Sequence, residues 1–242
     1  MPDLHYTDPR LAALYDQESG WSPDRDFYLA LPERPGSDIL DLGCGTGLLC
    51  EAYAANGHRV TGVDPAGSML EAARRKPHGS EVSWVHASAE EFRSDERFDL
   101  IVMTGHAFQV HLTDREIDAS MQTMRRHLKP GGRVVFESRN PAIDWARIWN
   151  FDTTVRLESE SVAITREFLG FDGDILTFEL RYRLPSETLT STSRIRFLSR
   201  AAIERRLVES ELRVDALYGD WDRSRFDAGR SVEIIFVARA AL

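Results

Sequence analysis

The sequence predicts an α/β fold, a doubly wound and mostly parallel sheet with a small antiparallel β addition late in the chain. Three observations predict it. Residues 37–64 read as strand, glycine turn, helix and second strand, the unit that builds a parallel sheet. Strand-like and helix-like segments keep alternating to about residue 140. From residue 161 the hydrophobic period drops to two, which marks antiparallel β structure.

Taken in order, the segment from Tyr6 to Tyr28 holds Tyr15-Asp16, Trp21, Phe27 and Tyr28, aromatics that fit helices packed on the sheet. The first strand, Ser37-Asp38-Ile39-Leu40-Asp41-Leu42, runs straight into Gly43-Cys44-Gly45-Thr46-Gly47. Glycine at every second position lets the main chain turn sharply and lie in contact with a bound molecule. Leu48 to Ala55 reads as a helix stopped by Asn56-Gly57. The second strand, His58 to Val63, ends in Asp64, at about the spacing of roughly 20 residues from the glycine turn that the ribose acid of a nucleotide-binding βαβ unit keeps. The turn is not the dinucleotide fingerprint, because position 48 is leucine and the third glycine stands at 47. Nor is it a P-loop, since no Gly-Lys-Ser/Thr follows. Asp41 beside the turn repels a pyrophosphate and favours a ligand with an ammonium or sulfonium centre.

A third strand leads to Ala87-Ser88-Ala89-Glu90-Glu91-Phe92, and Phe98 to Val102 forms a fourth. Thr113-Asp114-Arg115-Glu116 is a capping box. Ile117, Met121, Met124 and Leu128 follow at helical spacing, so 113–128 is an amphipathic helix with its methionines in the core. The fifth strand, Arg133 to Glu137, delivers Ser138, Arg139 and Asn140 to the carboxyl edge of the sheet, where open α/β sheets hold ligands. In 161–198, Leu176, Phe178, Leu180, Tyr182 and Leu184 alternate with polar residues between Asp172-Gly173 and Pro185-Ser186. The expectation is a three-stranded meander whose other strands cover about 162–169 and 188–198. A helix from near Ser199 and strands near 213–218 and 232–238 close the chain.

Composition narrows the function. At 242 residues with 42% hydrophobic content, the chain can bury one large α/β core. A net charge of −9 and no basic tract argue against a phosphate-backbone partner, so no nucleic acid is expected. Two cysteines, Cys44 and Cys50, suit a reducing compartment and provide neither a disulfide framework nor a metal site. The amino terminus shows no leader pattern, and no apolar stretch approaches the roughly 20 residues of a membrane helix. A cytoplasmic protein without membrane contact is the expectation.

Together these residues resemble the class I, Rossmann-like S-adenosylmethionine-dependent methyltransferases. The resemblance rests on Asp41 to Gly47, Val63-Asp64, Ala87 to Phe92, Phe98 to Val102 and Leu128-Lys129-Pro130-Gly131-Gly132, which appear in family order over about residues 37–140. It implies a seven-stranded sheet and S-adenosylmethionine as cofactor, S-adenosylhomocysteine as product, and no metal. The glycine loop, Asp41 and Gly43 to Gly47 including Cys44 and Thr46, then takes the methionine part. Asp64 takes the ribose hydroxyls, with Pro65 and Met69 beside it. Ser88, Ala89 and Glu90 hold the adenine; the family often has an aspartate where Ser88 stands, so a hydroxyl or backbone group must serve. Thr104, Gly105 and Tyr15 complete the cofactor set. The chain divides into a helical lid (1–36), the cofactor-binding core (37–150), the antiparallel insertion (151–198), and the final helix and strands (199–242).

In such proteins additions after the fifth strand roof the acceptor pocket; the apolar face of this one either does so or packs on the core or on a second subunit, which would make a homodimer. The arginines at 166, 181, 183, 194 and 196 line a solvated face or meet an acidic acceptor. Methyl transfer from a sulfonium mainly requires in-line alignment, worth about 7–11 kcal/mol. A protonated acceptor also needs a base. His106, in the Thr104-Gly105-His106-Ala107-Phe108 segment after the fourth strand, is the first candidate and His111 the second, each with a structural hydrogen bond or a cofactor contact as the alternative role. Arg139 presents a fork of donors to an acceptor carboxylate, or pairs with Glu137. The Asp/Asn-Pro-Pro-Tyr/Phe signature of amide and adenine aminomethyltransferases is missing at Thr104 to Ala107, which leaves a small-molecule oxygen or nitrogen as the expected acceptor. The alternatives are a non-catalytic binder of the same cofactor and, against the glycine spacing, an NAD-dependent oxidoreductase.

Overall fold

The computed structural model describes residues 2–157 and 160–241, so Met1, Glu158, Ser159 and Leu242 lie outside the described residues. Along the chain, α1 (Leu4–Thr7), α2 (Pro9–Glu18) and α3 (Pro23–Leu29) precede β1 (Asp38–Leu42). Next come α4 (Leu48–Ala55), β2 (Arg59–Asp64), α5 (Gly67–Arg74), β3 (Val82–His86), β4 (Phe98–Met103), α6 (Asp114–His127), β5 (Leu128–Arg139) and α7 (Trp145–Ile148). A second sheet follows in β6 (Phe151–Leu157), β7 (Glu160–Asp172), β8 (Ile175–Arg183) and β9 (Thr188–Arg196), and the chain ends in α8 (Arg200–Glu209), β10 (Leu212–Tyr218) and β11 (Glu233–Ala240).

The main sheet has seven strands in the order β10-β11-β5-β4-β1-β2-β3, and β11 alone runs against the others. Because side chains alternate along a strand, the central strands feed two cores. Leu40, Leu42, Ile101, Met103, Val134 and Phe136 meet α6 and α8 on one side. Ile39, Val102, Val135, Ile235, Phe27 and Tyr53 pack on the other side, against α3 and α4. Met121 and Met124 are fully buried, and the capping box at Thr113 and Glu116 starts α6 as the sequence predicts. Order along β1, β4 and β5 brings their carboxyl ends to one edge, where every candidate site residue from the core sits.

The second sheet corrects one expectation: it has four antiparallel strands, not three. The extra strand, β6, pairs with β7 from Phe151↔Arg166 to Arg156↔Ser161. Its alternation is real but chemically faint, since Phe151, Thr153 and Val155 share one face and only two of them are apolar. The apolar face of this sheet is covered within the same chain. Val162, Ile164, Leu176, Leu180 and Tyr182 pack on Leu11, Leu14, Trp145 and Trp149.

The amino-terminal helices bridge the two sheets. On the side of the second sheet, His5 bonds Ser191 Oγ through its backbone N (3.2 Å) and Nδ1 (2.9 Å), and Arg10 pairs with Glu187 at 2.7 Å. On the core side, Ser68 Oγ donates to the Thr7 carbonyl at 2.6 Å, while Asp16 accepts from Thr46 Oγ1 and Lys76 Nζ.

Candidate active site

The glycine turn is closed by the main chain. Gly43 and Cys44 both donate to the Val63 carbonyl, at 2.8 and 3.0 Å, and Gly43, Gly45 and Gly47 all have positive φ. Asp64, at the end of β2, accepts from the Gly45 amide (2.8 Å) and, through its other oxygen, from the Ala66 amide (2.8 Å). Each carboxylate oxygen thus spends one lone pair on the loop and keeps another for a ligand. Burial pushes the Asp64 carboxyl up, against those two hydrogen bonds.

Asp41 lies on the Ile39 face of β1, which turns it toward α4 and buries it. Cys50 Sγ stands 3.3 Å from one of its oxygens, and the other, Oδ1, has no hydrogen-bond partner. Burial raises its pKa to about 7. A carboxyl whose folded pKa is raised binds more protons in the folded than in the unfolded state between the two pKa values, so stability falls as pH rises from about 4 to about 7. The ligand-free chain should lose up to about 4 kcal/mol across this window. Asp41→Asn should remove that loss, and thermal denaturation of both proteins at pH 5 and pH 8 checks it; a parallel decline in the variant would show that Asp41 is not the group.

The amino-terminal helices pack beside this loop. Ala12, Ala66 and Met69 form a buried cluster against which Tyr6 and Tyr15 pack. An added Cβ at Gly45 would touch Tyr15 at 3.9 Å. Pro65 lies in the turn after β2, its carbonyl 2.9 Å from His86 Nε2. After β3, Ser88 Oγ donates to Glu91 Oε2 at 3.0 Å, Ala89 is buried, and Glu90 keeps a buried carboxylate oxygen with no donor.

After β4 the backbone turns left-handed at two successive residues, Gly105 (φ 65°) and His106 (φ 61°). The second is a conformation side chains rarely adopt. It is held by Glu137 on β5, whose carboxylate accepts from the His106 amide at 2.6 Å and from the Tyr28 hydroxyl. His106 Nε2 lies 2.9 Å from Glu233 Oε2 at the start of β11. Burial alone would raise the Glu233 carboxyl, but the hydrogen bond from His106 and the nearby Arg139 outweigh it and hold it below the usual range. Glu233 also borders a cavity of about 410 Å³ with Asp220, Trp221 and Arg230.

His111 stands elsewhere in function: it is buried, its Nε2 is 2.9 Å from Ser120 Oγ, and burial pushes its pKa down, which describes a neutral ring tying the 107–110 turn to α6. Arg139 does not pair with Glu137. Its amide and Nη1 both donate to Gln109 Oε1, at 3.2 and 3.0 Å, and its guanidinium stacks on Trp145 and Trp149. Among the insertion's arginines, 181, 183 and 194 are exposed as expected of a solvated face, whereas Arg196 is held by Asp114 and Asp174 and Arg166 is folded inward.

Glu233, Trp145 and Trp149 were not singled out by sequence, and Arg166 only as one of five arginines of the insertion. Glu233 opens an otherwise apolar strand, and Trp145 and Trp149 are a helical i, i+4 aromatic pair; both patterns are visible, but neither identifies its partner, which lies over a hundred residues away for Glu233 and His106. Among the described residues, no helix is long and apolar enough to cross a membrane, and no group of three His, Cys, Asp or Glu is arranged for a metal.

Comparison with known proteins agrees with this geometry. A family model described as a methyltransferase domain matches residues 39–132. The cypemycin N-terminal methyltransferase of Streptomyces sp is 34% identical over 107 residues, 44% of each chain. The ubiquinone biosynthesis O-methyltransferase of Aromatoleum aromaticum is 35% identical over 119 residues, 48% of each. The chain therefore spans about half the length of these curated relatives. The solved CcbJ methyltransferase of Streptomyces caelestis superimposes with a TM-score of 0.79 at 25% identity, covering 98% of this chain and 99% of that one. Strand order, the loop from Asp41 to Gly47 and these likenesses agree: residues 39–132 match a methyltransferase domain, and the chain has the fold of the class I, Rossmann-like S-adenosylmethionine-dependent methyltransferases.

Proposed function

We propose that this protein transfers a methyl group from S-adenosylmethionine to an oxygen or nitrogen of a small-molecule acceptor. The observation that carries the reading is the unpartnered, buried Asp41 Oδ1 beneath a glycine loop: an acceptor atom with no donor fits a ligand bearing an ammonium group. Asp41 and Gly43 to Gly47 would hold the methionine part, Asp64 the ribose, and Ser88, Ala89 and Glu90 the adenine. Since Ser88 Oγ is engaged with Glu91, the unpartnered Glu90 oxygen is the acceptor for the adenine amino group. When bound, the cofactor supplies an electrophilic methyl on a neutral leaving group.

The remaining work falls to this chain's own residues. The lid tyrosines and the roof exclude water and align the acceptor. With Nε2–H donating to Glu233, His106 keeps Nδ1 as its basic nitrogen, free of any partner among the described residues, to take the acceptor's proton. The carboxylate of Glu233 fixes that tautomer and stabilises the imidazolium that forms. The protein is placed in the cytoplasm, in keeping with two unpaired cysteines.

Calorimetric titration with S-adenosylmethionine, S-adenosylhomocysteine and NAD tests the cofactor. Micromolar binding of the two adenosyl ligands and none of NAD is expected; NAD alone would overturn the assignment, and binding without turnover across a broad acceptor screen would favour a non-catalytic binder. Asp41→Asn should weaken the adenosyl ligands about tenfold or more through loss of a charge-assisted hydrogen bond. In the wild type, affinity should fall as pH drops below about 7, because the ammonium must displace the proton on Asp41.

A further inference from the structure

Two guanidinium groups reach one indole from different layers of the fold. Arg139 leaves the carboxyl edge of β5 and Arg166 descends from β7; their guanidinium carbons lie 5.1 and 4.6 Å from the Trp149 ring centre. Arg139 also lies 5.7 Å from the Trp145 ring and Arg166 4.4 Å from that of Phe151. Their side-chain hydrogen bonds go to neutral oxygens, Arg139 to Gln109 Oε1 at 3.0 Å and Arg166 to the Trp149 carbonyl at 2.9 Å. Among the described residues neither forms an ion pair, although Arg181, Arg196 and Arg206 each hold two carboxylates. Trp149 is 2% exposed, and its Nε1–H is buried without an acceptor. Half-buried cations are ordinarily paired, so two guanidinium groups and an indole N–H that meet no carboxylate indicate a missing anion.

The guanidinium fork sets the class of that anion. Burial weakens the hold of both arginines on their protons, and the charge of Arg139 adds to this at Arg166, whose pKa falls to about 10. Glu18 is the carboxylate within electrostatic reach of Arg166, and it stands 3.5 Å from the Tyr182 hydroxyl. Glu137 and Glu233, which Arg139 feels, are already engaged by Tyr28 and His106. Both guanidinium groups are thus held by neutral partners and aromatic faces, and a guanidinium fork matches the geometry of a carboxylate.

We infer that the acceptor carries a carboxylate, held between Arg139 and Arg166 over the Trp145 and Trp149 rings. This rests on the methyl-transfer reading and narrows its substrate to small carboxylic acids bearing an amine or hydroxyl. Full-length protein loaded with S-adenosylhomocysteine is titrated with benzoate, its neutral isostere benzamide, and phenyl phosphate, and the unloaded protein is titrated alongside. Benzoate should bind at least about tenfold more tightly than benzamide, the equivalent of one charge-assisted hydrogen bond. Arg139→Met and Arg166→Met should each erase that preference while adenosyl-ligand affinity stays, and Arg166→Lys, which keeps the charge and stem without the fork, should retain only part of it. Equal binding of benzoate and benzamide, binding of neither, or an unchanged preference in the folded variants would overturn the inference. Tighter binding of phenyl phosphate than of benzoate would overturn the carboxylate assignment. Failure of S-adenosylhomocysteine to bind the wild type would instead overturn the methyl-transfer reading, and the titration of unloaded protein then judges the arginine pair by itself.

Discussion

Replacing Gly47 with alanine is expected to cost about 3–5 kcal/mol of stability, from left-handed strain and overpacking together. At φ 69° an added Cβ would stand 2.3 Å from Trp84 Cη2, 2.8 Å from Trp84 Cζ3 and 3.0 Å from Ala73 Cβ. The indole has little room to yield. The same six-membered ring is also wedged against Gly62, where a Cβ would lie 2.5 Å from Trp84 Cζ3, and the indole Nε1 donates to the Gly79 carbonyl at 2.8 Å. Urea denaturation should show a lowered midpoint at constant slope. Gly57→Ala makes the control, because φ there is 78° with nothing within 4 Å of an added Cβ. It should cost only about 1–2 kcal/mol, the left-handed penalty alone. Trimming the indole in a Gly47→Ala, Trp84→Val double variant should recover the steric share and leave the backbone share. If Gly47→Ala cost no more than Gly57→Ala, the wedge would not exist.

His106→Ala should lower kcat by about 10²–10⁴ on the acceptor found by screening, the usual contribution of a positioned base. Glu233→Gln isolates the partner: it keeps the size of the side chain and removes the charge that stabilises the imidazolium. Here kcat should fall with KM for S-adenosylmethionine unchanged, because Glu233 touches the histidine and not the glycine loop. A purely structural role for Glu233 would instead show as a lowered melting temperature with normal kcat in the protein that stays folded. Retention of full kcat in His106→Ala would mean that the acceptor arrives already deprotonated and alignment alone suffices.

The parallel core was legible because its signals are local. Glycine turn, helix stop and ribose acid lie within one βαβ unit, and burial on both faces makes β1, β4 and β5 near-continuous apolar runs. The geometry of the glycine loop could be read for the same reason, and the fold sets Tyr15 beside Gly45. What escaped depends on pairing at long range. β6 hid because its inward residues are Phe151, Thr153 and Val155, and a threonine on the covered face breaks the pattern that reveals a strand. Ser88 was readable as a position but not as a partner of Glu91. Histidines 106 and 111 look alike in sequence; only the fold sets one against Glu233 and the other against Ser120.

The amino-terminal helices are fastened to both sheets, through Asp16 to Thr46 and Lys76 on one side and through His5 and Arg10 to β9 and the turn before it on the other. Under the proposed methyl transfer, a spent cofactor on the glycine loop beneath Tyr15 would leave by displacing this strap, and the same motion would loosen the second sheet from the core. Exit of the product and exchange of the cofactor would then share a single gate, with turnover paced by the opening frequency of the strap.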